Sequence, residues 1–316
     1  MLVFMPSLSR QDRLLGGVWG LLVGDALGVP YEFHAATAIP TIDEIEMEPP
    51  AGFARSHARV PPGTYSDDGA QALCLLDSLL SRETLDPEDL GRRLVGWYQS
   101  GYLAVDGDVF DCGVQTGAAL RALIGGAHAT QSGPSLVGAN GNGSLMRVLP
   151  LALWHRGSAA ELVAFAHAQS CVTHGHARSQ ACCALYCLWA RHVLDGDDQP
   201  WTTAVEALRR LYAHEEDHLA ELEFHIRPDE PAEGQGSGYV VDCLRSARWA
   251  VGRGPYELAV KAAISLGRDT DTTACVAGGI AGLRDGIDAI PERWRNRLRG
   301  RELFAPLIDR LVARSR

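Results

Sequence analysis

A chain of 316 residues with 46% hydrophobic and 22% charged residues has the composition of a globular protein able to bury a sizeable core, which excludes a disordered or fibrous chain. A formal net charge of −10 argues against a general nucleic-acid binder, whose affinity rests on basic patches that neutralise phosphates. Eight cysteines without a CxxC pair or a framework spacing exclude a disulfide-stapled secreted domain and imply buried thiols in a reducing, cytoplasmic setting.

In chain order, the first predicted element is the apolar stretch "LLGGVWGLLVG". Asp25 ends it too soon for a membrane span of about 20 residues. Arg10 and Arg13 precede it as in a signal peptide, but no small-x-small cleavage site follows. No membrane contact is therefore expected. Glycines 16, 20, 24 and 28 recur every fourth residue, a stripe without side chains along which another backbone can approach closely.

After a loop over 46–65, apolar positions at i, i+3, i+4 spacing predict helices beginning near 70, 118, 161, 178, 203 and 240. The run over 203–219 reads as one continuous helix, and so does "SLMRVLPLALW" from Ser144. Loops are expected at "DGDDQP" from 195 and over 227–239, where Gly, Pro and acidic residues cluster. Strand-type alternation is scarce and no repeat of fixed period is present. The expectation is one all-α domain over 1–316, with its motifs between about 13 and 285. The Arg-rich segment 290–316 carries Leu, Phe and Ile at helical spacing, which suggests an amphipathic helix with a wet basic face.

Two acid and hydroxyl clusters stand before helical runs: Ser66, Asp67, Asp68 in "YSDDGAQALCLL", and Asp269, Thr270, Asp271, Thr272, Thr273 in "RDTDTTACVAGGIAGL". Each alone is a good helix N-cap. Brought together, their carboxylates would repel strongly without counterions, and an all-oxygen shell selects hard ions such as Mg²⁺ or Mn²⁺. Spacing alone leaves capping and ion binding both open. A third reading is a phosphatase-type DxDx[TV] nucleophile loop, but that loop should follow a buried strand, and here it follows "AVKAAISLG", which reads as helix.

Other clusters are weaker. Cys171, His174 and His176 in "CVTHGH" have a zinc-like spacing without a fourth ligand. The glycine-rich "GANGNGSLMR" can cradle phosphate through backbone N–H groups, or simply turn the chain before a helix.

Taken in order, "GGVWGLLVGDALGVPYEF", "GTYSDDGAQALCL", "GNGSLMRVLPLAL", "VTHGH", "GSGYVVDCLRSARWAV" and "GRDTDTTACVAGGIAGL" resemble the successive signatures of the ADP-ribosylglycohydrolase family. The resemblance implies a compact all-α domain of orthogonal helices around a cleft holding two divalent cations, Mg²⁺ or Mn²⁺. It implies Ser66, Asp67, Asp68, Asp269, Asp271 and Thr272 as metal ligands and Glu32 as the catalytic or gating glutamate. Asp111 and Gly113 match a segment that contacts the substrate ribose, with Asp106 and Asp108 as rival acids. Asn142, Gly143, Ser144 and Met146 fall on the loop around diphosphate and ribose, His174 on a Thr-His pair, and Tyr239 on an aromatic that stacks on adenine. Gly69 departs from the family's usual Thr or Ser, and Val114 from a polar residue.

The implied reaction removes mono-ADP-ribose from protein arginine and releases ADP-ribose. Its partners would be an ADP-ribosylated protein and no nucleic acid. The rivals are the same fold acting on ADP-ribosylserine, poly(ADP-ribose) or O-acetyl-ADP-ribose, and a non-catalytic ADP-ribose-binding relative.

Overall fold

The computed structural model describes residues 8–314, so the ends of the expected 1–316 domain lie outside the described residues. Eleven helices of ten or more residues build it: α1 (Arg10–Gly28), α2 (Asp67–Arg82), α3 (Pro87–Ser100), α4 (Val114–Ile124), α5 (Ala159–Cys171), α6 (Ala177–Leu194), α7 (Pro200–Leu211), α8 (Val240–Val251), α9 (Tyr256–Ser265), α10 (Thr270–Asp285) and α11 (Arg301–Ala313). Among the described residues there is no strand, only two isolated bridges. The main core runs from Leu14 to Val312, with a small satellite of Val29, Val60 and Phe110, so the expectation of a compact all-α fold holds. With α9 before "RDTDT" in place of a strand, the phosphatase reading is overturned.

The centre of the molecule is the pair α1 and α10, fourteen residues of each being buried. They run antiparallel at backbone contact because the glycine stripe meets a second small-residue stripe. A Cβ on Gly16 would lie 2.1 Å from Gly282 O, on Gly20 2.4 Å from Gly278 O, and on Gly24 2.2 Å from Ala274 O. Tyr256 and Tyr186 lock the pair by donating hydroxyl bonds to Gly20 O and Val276 O, each at 2.9 Å. Arg13, at the start of α1, caps the other end of α10 through Leu283 O and Arg284 O, both 3.2 Å away, where a cation suits the helix dipole.

The apolar run does not end at Asp25: α1 continues to Gly28 with Asp25 fully buried. The helical stretch Arg10–Tyr31 is long and apolar enough to cross a membrane, yet 89% of its apolar 18-residue window is buried inside the fold. The helix expected over 203–219 breaks at 212–215, between α7 and a short helix Glu216–Ala220. The one expected from Ser144 divides into Gly143–Met146 and Leu149–Trp154. The C-terminal segment is not one helix: a short helix Glu292–Arg297 buries Trp294, and α11 follows, burying Phe304, Leu307, Ile308 and Leu311 and leaving its arginines on the outer face. Six of the eight cysteines are buried and all are unpaired.

Candidate active site

The stripe has a consequence at its end. At Gly28 a Cβ would lie 2.4 Å from Asp271 Cα, so the first turn of α10 sits directly on the last turn of α1. Thr270 fixes the contact by donating its hydroxyl to Gly28 O at 2.8 Å. The start of α2 reaches the same place through Asp25, whose carboxylate accepts from Ser66 N and Gly69 N at 2.8–3.1 Å. A Cβ on Gly69 would lie 2.9 Å from both Asp25 Oδ2 and Tyr65 Cδ2, which accounts for glycine where the family has Thr or Ser.

Asp67, Asp68, Asp271 and Thr272 thus meet, all buried. Thr272 Oγ1 donates to Asp68 Oδ1 at 3.2 Å, while Asp271 Oδ1 accepts from Thr272 N at 2.9 Å. Asp67 Oδ2 accepts from Gln71 at 2.9 Å, and Asp269 Oδ2 accepts from Asn142 at 2.9 Å. Ser66 caps α2 through Asp68 N, whereas the Asp269 side chain caps nothing. Capping therefore describes one cluster and fails for the other. Asp68 Oδ2 and Asp271 Oδ2 are buried without any hydrogen-bond partner. Burial first, then neighbouring acids, pushes Asp67, Asp68 and Asp271 far above the usual carboxylate range, and burial brings Asp25 up to about 7. Unpartnered buried carboxylate oxygens in an all-oxygen set fit divalent cations, which relieve both defects.

Glu32 follows the end of α1, where residues beyond it pair with the chain before α10 (Arg268 N to His34 O, 2.6 Å). Its oxygen comes within 4.8 Å of those of Asp269 and Asp271. Burial, with Asp111, Asp269 and Asp67 nearby, raises it to about 11. One carboxylate oxygen each of Glu32 and Asp111 and a ring nitrogen of His57 lie within 4.8 Å of one another. Asp111 holds φ +56, a left-handed conformation that aspartate tolerates better than most residues. Its rivals point elsewhere: Asp106 is exposed and pairs with Arg299 at 2.7 Å, and Asp108 is exposed.

Glu32, Asp67, Asp68, Asp111 and Asp269 form one wall of a cleft of about 350 Å³, with fully buried Asp271 behind it. Gly113, Gln115, Thr116, Asn142, Gly143, Met146 and His174 are among the residues lining the rest of it. A Cβ on Gly143 would lie 2.9 Å from both His174 Cε1 and Thr116 Oγ1, so the loop fits only as glycine there. His174 is held by Thr173 Oγ1 at 2.7 Å and is pushed down to about 3 by burial, hence neutral. Two assigned residues behave differently. Ser144 is fully buried on the core side, with its hydroxyl on Ser170 and Cys183, so its side chain cannot reach a ligand in the cleft. Tyr239 lies at the rim, 38% exposed, its hydroxyl accepting from Arg178 at 3.1 Å. Val114, 90% exposed, is also a rim residue. Cys171, His174 and His176 form no cluster; His176 caps α6 through Arg178 N.

Three further site-forming residues have no role assigned from the sequence. Asp25 holds α2 in place. His57, from the 46–65 loop, sets Nε2 2.7 Å from Glu32 Oε2, its ring packed on Phe110 and Phe33. Arg147, fully buried, bonds only neutral groups: Gln169, Gly143 O and Gln71, which in turn bonds Asp67. Its unpaired charge offsets part of the acidic cluster. An acid inside a glycine-striped helix and the Arg of "GSLMR" were the available signals; for His57 there was none.

The model of the family described as ADP-ribosylglycohydrolase matches residues 6–316. The chain is 31% identical to an ADP-ribosyl-[dinitrogen reductase] glycohydrolase of Rhodospirillum rubrum, covering 93% of this chain and 92% of that one. It is 31% identical to the ADP-ribosylarginine hydrolase Tri1 of Pseudomonas putida, over 96% of this chain and 81% of that one. To human ADP-ribosylhydrolase ARH3 it is 27% identical over 98% and 95% of the two chains. A solved structure described as an ADP-ribosylglycohydrolase-related protein complex superposes with a TM-score of 0.78 at 32% identity, over 97% of this chain and 99% of that one. With a family model spanning nearly the whole chain and relatives at 31% identity matched over 81% or more of their length, the protein belongs to the ADP-ribosylglycohydrolase family.

Proposed function

We propose that this chain is a hydrolase, dependent on two Mg²⁺ or Mn²⁺ ions, that removes mono-ADP-ribose from protein arginine. The observation that carries the metal reading is the pair of unpartnered buried oxygens, Asp68 Oδ2 and Asp271 Oδ2, on facing helix starts. Asp67, Asp68, Asp269, Asp271 and Thr272, with Ser66 behind them, are the residues to hold the ions. Bound there, divalent cations supply charge for orienting ribose hydroxyls and acidifying a water.

The chain's own groups handle the proton and the sugar. The C–N bond between the ribose anomeric carbon and the guanidine breaks; the water oxygen ends on that carbon, and the water's proton passes to the leaving nitrogen. Glu32, raised in pKa, held by His57 and with Asp111 close by, is the group to carry the proton. Asp111 supports the positive charge that develops on the sugar. The Asn142–Gly143 loop and neutral His174 bind the ribose and diphosphate, and Tyr239 at the rim stacks on adenine.

The arginine linkage is supported by the "GNGSLMR" form of the loop and by the relatives whose names carry that activity. The test is ADP-ribose release from defined arginine-linked and serine-linked substrates with Mg²⁺ or Mn²⁺ present. Release from arginine is expected. Release from serine and never from arginine would move the chain to the O-linked reading, and tight ADP-ribose binding without any turnover would make it a binding protein.

A further inference from the structure

At the first turn of α1 lies a cavity that shares no residue with the cleft. It has a volume of about 310 Å³ and is lined by Arg10, His155, Arg156, Arg191 and Asp195. Arg10 begins α1, Arg191 stands in the last turn of α6, and His155 and Arg156 follow the short helix Leu149–Trp154.

The lining carries more positive charge than its own acids balance. Arg10 donates to Asp195 at 2.8 Å. Arg191 bonds only neutral acceptors, His155 Nδ1 and O at 2.8 and 3.0 Å and Gly157 O at 3.4 Å. His155 Nε2 in turn donates to Glu161 at 2.9 Å. A ring that accepts at Nδ1 and donates at Nε2 is neutral, and burial holds its pKa down. Exposed Arg156 has no hydrogen-bond or ion-pair partner among the described residues. Three guanidiniums therefore line the cavity with one carboxylate, in a chain whose net charge is −10. A fourth, that of Arg314, lies 4.6 Å over the Trp154 ring. Burial first, then the charges of Arg10 and Arg314, lowers the pKa of Arg156. Burial, with Arg10 and Arg156 nearby, outweighs Asp195 in lowering that of Arg191.

Unpartnered donors are a second, independent sign. Six buried side-chain nitrogen or oxygen atoms lack a partner among the described residues. Two are the Asp68 and Asp271 oxygens of the cleft; three belong here, Arg10 Nε, Arg191 Nε and, on the residue before His155, Trp154 Nε1. In the cleft the orphans are acceptors and suit cations. Here all three are N–H donors and suit an anion.

We propose that Arg10, Arg156 and Arg191 form a binding site for a phosphate group, carried as free phosphate or as a small phosphate monoester. Three guanidiniums against one carboxylate leave two positive charges, which a dianion neutralises and a single carboxylate does not. Tetrahedral phosphate oxygens accept from several guanidinium forks at once. Bound there, the anion ties the start of α1 to the end of α6 and to the chain after Trp154.

The test is calorimetric titration of the full chain, freed of divalent ions by chelator, with inorganic phosphate and with glycerol 3-phosphate at fixed ionic strength. Acetate is the control. Saturable one-to-one binding is expected with a Kd of about 1 mM or below, and acetate binding as tightly would overturn the proposal. Tighter binding of the ester assigns the site to a small phosphorylated molecule, and equal or weaker binding assigns it to free phosphate. Arg156→Gln, at an exposed position without partners, should weaken binding about ten-fold or more. Its thermal midpoint in phosphate-free buffer should hold or rise, because repulsion is relieved. Asp195→Asn removes the competing carboxylate and frees Arg10, so it should tighten binding, which a merely structural role for these residues would not do. Phosphate binding that survives at wild-type strength in Arg156→Gln belongs to the cleft and would overturn the proposal, as would the absence of saturable binding in the wild type.

Discussion

Asp67 and Asp269 each hold one amide donor, Gln71 and Asn142, and an asparagine at either position keeps an oxygen for that partner. Asp67→Asn and Asp269→Asn therefore test ion binding more than folding. Turnover should fall about a hundred-fold or more, the several kcal/mol that a bound cation contributes, while the thermal midpoint of chelated protein holds or rises because repulsion is relieved. Undiminished ADP-ribose release in both would refute the two-ion reading. His57 acts through Glu32. His57→Phe keeps a ring against Phe110 and Phe33 but removes the nitrogen, so kcat should drop about ten-fold or more with KM little changed; a KM effect alone would reduce His57 to packing. At this scale the acidic ligand candidates are legible in the sequence, since short acids before a helix announce themselves. Asp25 and His57 are not, because one is a lone acid in an apolar helix and the other a histidine in a loop.

The α1–α10 pair is the element that converts pattern into site geometry. Its register depends on glycine: Gly24→Ala would set a methyl 2.2 Å from Ala274 O, against backbone that cannot yield. The expected cost is about 1–3 kcal/mol or more, read by denaturant unfolding, with a larger proportional loss of activity because Asp271 moves relative to Glu32. Gly96→Ala in α3 is the contrast. Its Cβ would find its nearest neighbour at 3.7 Å, so the substitution should stabilise by about 0.4–1 kcal/mol through the unfolded chain. The stripe and most helices were legible from spacing. The break at 212–215 was not, because the periodicity runs through it while Tyr212 turns inward to His167. The division after Met146 was equally hidden, since it lets Arg147 enter the core beside Gln169.

At the level of the whole molecule, the fold gathers carboxylates that cannot all ionise without cations. Burial raises Asp25 to about 7 and carries Asp67, Asp68 and Asp271 well above the usual range, so the cation-free folded state binds more protons than the unfolded chain. Its stability accordingly falls as pH rises from about 4 through 7 and beyond. Mg²⁺ or Mn²⁺ should flatten that slope and raise the thermal midpoint most at high pH; pH profiles of unfolding with chelator and with Mg²⁺ check this, and superimposable profiles would contradict it. By itself the sequence determined the helices, the glycine stripe and the two acid clusters, because periodicity and capping are decided within a turn or two of chain. Only the tertiary structure decided that the clusters meet, that Glu32 and Asp111 close on them, that Ser144 faces inward and that Arg147 stands behind. Those outcomes depend on how helices far apart in sequence exclude water and approach each other, which is a property of the packed core and not of any local segment.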